Sequence, residues 1–454
     1  MLNKLFKNHY FLATLQFLTL FVFILLIYGA IGITTNDKDF AIILRNTNLA
    51  NLIVWSYWWP FIIVTAVLFG RFWCSICPME LITSFFGKIG MRKKPGKLLK
   101  SGWFITLFYA LILIIGIHTF AIHRIPQLMA VYMIILLAVA IIAGIIWEKR
   151  AFCTYICPVG HLLGLYSLLS FKQLRVKSTD VCKNCKTKDC VSKVNHYKFT
   201  GRSCTSELYP PDIRDNRECI LCGQCHKSCT KDNIEISQRK IAADLFTGVK
   251  LSTAEIGFFM LVSGFIVYEI LSEWQFSKDI LLALPHWLNS TLGISGNLAG
   301  TVKAIILFII VPLIAYTGLA MLKKYAGKES LRNAFAQLVT ALLPVAGSLH
   351  LLKALLKTTS RIPYWHYVFG DPQGIKTATM LQEKSVLLDK SFLVLLTPFI
   401  NILAILLPLG GLLLSFIILR KQKFASTTSQ VISFAAVIIY ATLFLITIVA
   451  WRLV

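Results

Sequence analysis

Nine runs of about twenty apolar residues divide this 454-residue chain, and each is long enough to cross ~30 Å of hydrocarbon as a helix. They lie near 10–33, 51–70, 102–122, 128–147, 253–273, 298–322, 334–356, 392–419 and 430–451. A mean hydropathy of +0.70, with 56% hydrophobic residues, fits no soluble fold of this length. The expected class is an all-α polytopic membrane protein. The first run is too long, and lacks the small-residue cleavage site, to be a removed signal peptide, so it is expected to stay as an anchor.

The net charge of +25 would point to nucleic acid in a soluble protein, but in a membrane protein the placement of charge matters more than its sum. Lysine and arginine crowd alternate loops, from Lys4 and Lys7 through Arg92, Lys93 and Lys94 to Arg420, Lys421 and Lys423, while 35–50 and 274–297 are nearly neutral. The positive-inside rule then puts the N-terminus in the cytoplasm and, after nine crossings, the C-terminus outside. No nucleic-acid partner is expected. The chain divides into a membrane domain at 1–171, a polar insertion at 172–250 and a second membrane domain at 251–454.

All twelve cysteines fall between Cys74 and Cys229, on the side assigned to the cytoplasm. Reducing conditions there disfavour disulfides and favour thiolate ligands. The insertion contains Cys219-x2-Cys222-x2-Cys225-x3-Cys229, the spacing of a bacterial-type [4Fe–4S] site whose fourth cysteine ligates the neighbouring cluster. Gly223 helps the backbone curl around Cys222. The looser half is Cys182-x2-Cys185-x4-Cys190-x13-Cys204. One cluster is therefore assigned to Cys182, Cys185, Cys190 and Cys229, and a second to Cys204, Cys219, Cys222 and Cys225. Zinc takes only four ligands where eight are available. The insertion carries 16 basic and 9 acidic residues, an excess that offsets the negative charge of two thiolate-bound cubes.

Two further motifs close apolar runs: "RFWCSICP" at Arg71–Pro78 and "RAFCTYICP" at Arg150–Pro158. Each is followed by a short second apolar stretch, so two spans plus a motif form an internal repeat. Proline lacks an N–H and suits the first turn of a helix, so Cys77 and Cys157 are expected at helix N-termini, where the dipole favours thiolate. Side by side, these turns would gather Cys74, Cys77, Cys153 and Cys157 into a third centre. An iron–sulfur cluster, a copper site and redox-active dithiols all fit four soft ligands, and inert burial is the plain alternative.

Paired membrane-boundary Cys-Pro motifs followed by a two-cluster ferredoxin segment resemble the membrane polyferredoxins of the NapH, NosR and CcoG kind, over residues ~50–250. The resemblance implies electron transfer, often from quinol, towards extracytoplasmic reductases or their maturation systems, as a quinol dehydrogenase-like subunit rather than a stand-alone enzyme. The CcoG branch implies copper reduction for oxidase assembly, and a redox- or iron-sensing scaffold is a further alternative. Cys74-x2-Cys77 is one residue shorter than the family's usual C-x3-C-P.

The last 225 residues contain no cysteine. His118 and His350, inside spans, mark a quinone or haem site, although a membrane histidine more often bonds a neighbouring helix, so haem is not expected. Lys353 and Lys357 are expected to snorkel outward. Trp365 and Tyr367 form an aromatic belt or anchor an outside partner. Proline residues 312, 344, 398 and 408 predict kinks. A transporter is disfavoured because no intramembrane acidic residue marks a substrate path.

Overall fold

The computed structural model describes residues 2–8, 10–199 and 201–453. Among these described residues, eight helices are long and apolar enough to cross a membrane: Phe11–Tyr28, Leu49–Phe69, Pro126–Ile146, Thr253–Leu271, Gly296–Tyr325, Leu331–Val368, Ser391–Lys421 and Thr427–Arg452. The remaining expected span is the shorter helix Trp103–Thr119. Its last eight residues, Ile112–Thr119, form a π-helix, and the left-handed Ala121 just beyond prevents extension. At 1.5 Å per residue, its 17 residues reach only ~26 Å.

The chain forms two compact units. Met1–Tyr28, Val64–Phe108 and Ala130–Thr247 make the first, and Gly29–Ile63, Tyr109–Met129 and Gly248–Val454 make the second.

In the first unit, strand β1 (Lys172–Val176) pairs antiparallel with β2 (Ile234–Gln238), the one sheet among the described residues. Leu174 opposes Ile236, and both point into the core. Everything between the strands is loop and single helical turns, since cysteines every third residue leave no apolar stripe to bury. A hairpin base thus holds both ends of the cysteine-rich insertion.

In the second unit, helices meet through small residues, as lipid-embedded helices do when packing replaces the hydrophobic effect. Ala320, Ala334, Leu338 and Ala436 form one such cluster. Gly411 lies where Ser391–Lys421 crosses Leu331–Val368: a Cβ there would stand 2.5 Å from Ser348 Oγ. Pro344, Pro398 and Pro408 lie inside helices, and Pro312 follows directly on the π-helix Ile306–Ile310 within the continuous span Gly296–Tyr325.

Candidate iron–sulfur sites

The insertion of the first unit encloses two hollows. One, of about 370 Å³ including its open mouth, is lined by Cys182, Cys185, Cys190 and Cys229. The other, of about 350 Å³, is lined by Cys204, Cys219, Cys222 and Cys225. The two halves of the segment thus exchange a cysteine: Cys229 ends up in the first hollow and Cys204 in the second. The curl that allows this uses left-handed backbone on both sides of Cys222, at Leu221 (φ 55) and Gly223 (φ 64). Glycine is required at the second position for a further reason, since a Cβ on Gly223 would come within 2.9 Å of Phe6.

Polar groups already face the sulfurs of the first hollow. Asn233 donates from its side-chain amide to Cys182 Sγ at 3.1 Å and from its backbone N–H to Cys229 Sγ at 3.4 Å. The Lys188 N–H and the Thr187 hydroxyl hold the Cys185 thiol below its ordinary value. Elsewhere burial dominates, helped by neighbouring sulfurs: Cys190 is pushed up to about 11 and Cys219 to about 12. Four thiols gathered around one hollow can ionise together only beside compensating positive charge, which iron supplies on binding. Among the described residues, no three His, Cys, Asp or Glu side chains converge closely enough to hold one metal ion. A cube makes no such demand, because each thiolate binds its own iron. The donor set therefore fits a four-iron cluster in each hollow.

The two Cys-Pro motifs reconcile their unequal spacing through a change of helix type. Cys74 lies in an α-helical turn, Phe72–Ile76, with its N–H donated to Arg71 O at 3.0 Å. The longer motif forms a π-turn, Phe152–Ile156, closed by the Cys157 N–H on Phe152 O at 2.7 Å. One extra residue in the sequence becomes one extra residue in the turn. Cys77 is the N-cap of Pro78–Ile89, with Pro78 in its first turn. Cys157 departs from expectation. Pro158 and Val159 occupy a tight turn, so the next helix, Gly160–Ser167, begins two residues beyond the proline instead of at it.

All four sulfurs, Cys74, Cys77, Cys153 and Cys157, lie within electrostatic reach of one another. Helix-end stabilisation loses to burial here: Cys77 is driven well above its ordinary value, Cys153 to about 12 and Cys157 to about 11. This set, like the hollows, needs a cation to ionise.

Beside it lies a carboxylate that the sequence reading did not single out. Glu80 is 1% exposed, pairs with Arg202 at 2.7 Å, and accepts from Gln16 Nε2 at 2.6 Å and Ser84 Oγ at 3.0 Å. Its burial favours the neutral acid, but the Arg202 and Arg150 guanidiniums outweigh that and hold it below the usual carboxylate value. The motif "CPME" carried a signal, a charged residue two places after a helix-starting proline at a membrane boundary. Asn3 and Phe6 also went unrecognised: Asn3 exchanges two hydrogen bonds with Ile236, and Phe6 packs on Gly223.

In the second unit, His118 meets Tyr268 edge-on and Phe308 at a tilt, and its buried Nε2 has no hydrogen-bond partner. His350 lies 6.2 Å from the Phe265 ring. Lys353 turns inward instead of snorkelling, with ion pairs to Glu269 (3.2 Å) and Glu273 (2.7 Å). Lys357 is partly buried and within electrostatic reach of Glu269. Glu269 lies within the span Thr253–Leu271, so an intramembrane acid does exist, but it is charge-paired. Trp365 is engaged internally, donating its indole N–H to Tyr57 Oη, and the Tyr367 hydroxyl donates to Leu387 O at 3.3 Å.

Fold and donor sets together define a multi-pass α-helical membrane protein of the iron–sulfur type. Comparison with known families agrees: a 4Fe-4S binding domain matches twice, at residues 51–97 and 129–175. These are the two copies of the internal repeat, each with one Cys-Pro motif. The chain is similar to the uncharacterized protein MJ0750 of Methanocaldococcus jannaschii, with 25% identity over 39% of this chain and 76% of the relative. A second uncharacterized protein of that organism, MJ0749, is 24% identical over 38% of this chain and 68% of its own length. YccM of Escherichia coli, named as a candidate electron transport protein, is 24% identical over 47% of this chain, which spans 64% of YccM. No solved structure matches.

Proposed function

We propose that this chain carries electrons at a membrane surface, between a quinol or cytoplasmic donor and an extracytoplasmic reductase or its maturation system. The carrying observation is the grouping of the cysteines: two four-cysteine hollows and a third four-cysteine set, all in one compact unit. We assign one [4Fe–4S] cluster to Cys182, Cys185, Cys190 and Cys229, a second to Cys204, Cys219, Cys222 and Cys225, and a third metal centre to Cys74, Cys77, Cys153 and Cys157. The clusters, when bound, supply the one-electron chemistry, and the protein supplies spacing, insulation and potential. The similarity to YccM supports a redox role. Basic loops flanking the insertion support a cytoplasmic face at a bacterial inner membrane, with redox protein partners docking there or across the bilayer.

A quinol site beside His118 is supported by its unpartnered Nε2 and by Lys303, which donates to Tyr268 Oη at 3.2 Å. Copper at the third set would mark a metal-reducing assembly factor instead. Metal and sulfide analysis of anaerobically purified protein separates these readings. About eight iron atoms fit two cubes and about twelve fit three, whereas copper bound at Cys74–Cys157 favours assembly. EPR of reduced wild type against Cys77→Ser and Cys157→Ser tests the third centre. If both variants keep every signal and their full metal content, that centre is absent.

A further inference from the structure

The two repeats each begin with an arginine three residues before the first cysteine, Arg71 before Cys74 and Arg150 before Cys153. Surface arginine is ordinary, but these are 8% and 1% exposed. They reach the same place from opposite sides. Arg71 Nη1 donates to Arg217 O at 2.7 Å, two residues before Cys219, and Arg150 Nη1 donates to Ser206 Oγ at 3.2 Å, two residues after Cys204. Ser206, Cys204 and Cys219 all line the second hollow. Among the described residues neither arginine forms an ion pair, and the Nε of each is buried without a hydrogen-bond partner.

Two unpaired buried cations are costly unless an anion compensates them. The groups acting on Arg150 show where the compensation comes from: Cys153 and Cys74 of the membrane-boundary set, Glu80, and Cys222 of the second hollow. Cys157 in turn feels both Arg71 and Arg150. The only carboxylate in this group, Glu80, is already engaged by Arg202. Metal-bound thiolates on both sides are the remaining anions.

We propose that Arg71 and Arg150 are a matched pair of positioning residues that tie the Cys204–Cys219 cradle to the Cys74–Cys157 set and make the centres there easier to reduce. The inference rests on the cluster assignment above. A fixed positive charge beside a cluster favours the reduced, more negative form, and net charge is one of the terms that set cluster potential. The duplication explains why both repeats keep arginine at the same offset: each copy contributes one tie to one side of the same cradle.

The test uses the full-length protein, purified anaerobically in detergent, as wild type and as R71Q, R150Q, R150K and E80Q. Iron and sulfide are measured, and the EPR signals are titrated against potential. The glutamine variants should keep their iron and become harder to reduce by roughly tenfold in the equilibrium constant, about 59 mV for a one-electron couple. R150K should recover at least half of that shift, and E80Q, which removes a nearby negative charge, should move the midpoint the opposite way. A merely structural role predicts lost iron without this sign pattern. Iron-replete R71Q and R150Q with wild-type midpoints overturn the assignment. If the glutamine variants hold no iron, E80Q decides: an unchanged or lowered midpoint overturns it. A wild-type protein free of iron sinks the cluster reading itself, which distinguishes the two failures.

Discussion

Removing the Glu80 carboxylate tests the energetics of the first unit most directly. Glu80→Ala would leave Arg202, 11% exposed at its side chain, without its ion-pair partner and the Gln16 amide without its 2.6 Å acceptor. Breaking a buried pair from one side costs about 3–5 kcal/mol, because the surviving charge stays desolvated. At about 1.4 kcal/mol per factor of ten, local opening of the Arg202 loop should rise by roughly two to three and a half powers of ten. Two amides report on that loop: Ser203 N–H, donated to Asn195 O at 3.2 Å, and Cys204 N–H, donated to Cys190 O at 2.8 Å. Both should exchange far faster in Glu80→Ala, while Glu80→Gln, which keeps the shape, should cost only about 1–3 kcal/mol. Exchange at both amides within threefold of wild type would refute the reasoning. The pH dependence has a fixed sign. Burial opposes ionisation of Glu80, but the Arg202 and Arg150 charges prevail and lower its folded value. Its contribution is therefore complete above the unfolded carboxylate value of about 4.3 and is lost as pH falls through the lower folded one.

Asn233→Ala removes the amide donated to Cys182 Sγ and should lower the midpoint of the first-hollow cluster, by about 59 mV if the lost stabilisation is tenfold; a potentiometric EPR titration checks this with iron content as control. Gly223→Ala forces a Cβ into left-handed backbone and against Phe6, at about 1–2 kcal/mol for the backbone alone, and should speed iron loss to a chelator. Adding Phe6→Ala should recover the steric part but not the backbone part. Lys353→Ala leaves Glu269 and Glu273 unpaired and should destabilise the second unit by about 3–5 kcal/mol, read as a lowered melting temperature in detergent, with Lys353→Arg milder.

Local rules made much of this molecule legible. Apolar run length located the spans because hydrocarbon thickness acts on each segment independently, and Trp103–Thr119 fell short because a π-turn and Ala121 end it early. Cysteine spacing pointed to the grouping of residues that line the two hollows because it encodes backbone curl directly. The contacts beside those hollows were harder to read. Glu80 meets Arg202 across 122 positions, and Asn3 meets Ile236 across 233, so no local pattern announces either. The fate of Lys353 turned on Glu269 and Glu273 on another helix, and a single helix's composition cannot reveal its partner's charge. The π-turn at Phe152–Ile156 was written in plain view, as one residue more in the second motif than in the first.

The hook between Asn3 and Ile236 sets an order of events during synthesis. Asn3 is synthesised well before its mate on β2, which follows more than two hundred residues later. Phe6, on the same short helix, likewise waits for the Gly223 turn that it packs against. The latch can therefore close only once the whole cysteine-rich insertion has been made, and a bulky fusion placed just ahead of Asn3 would strain that catch.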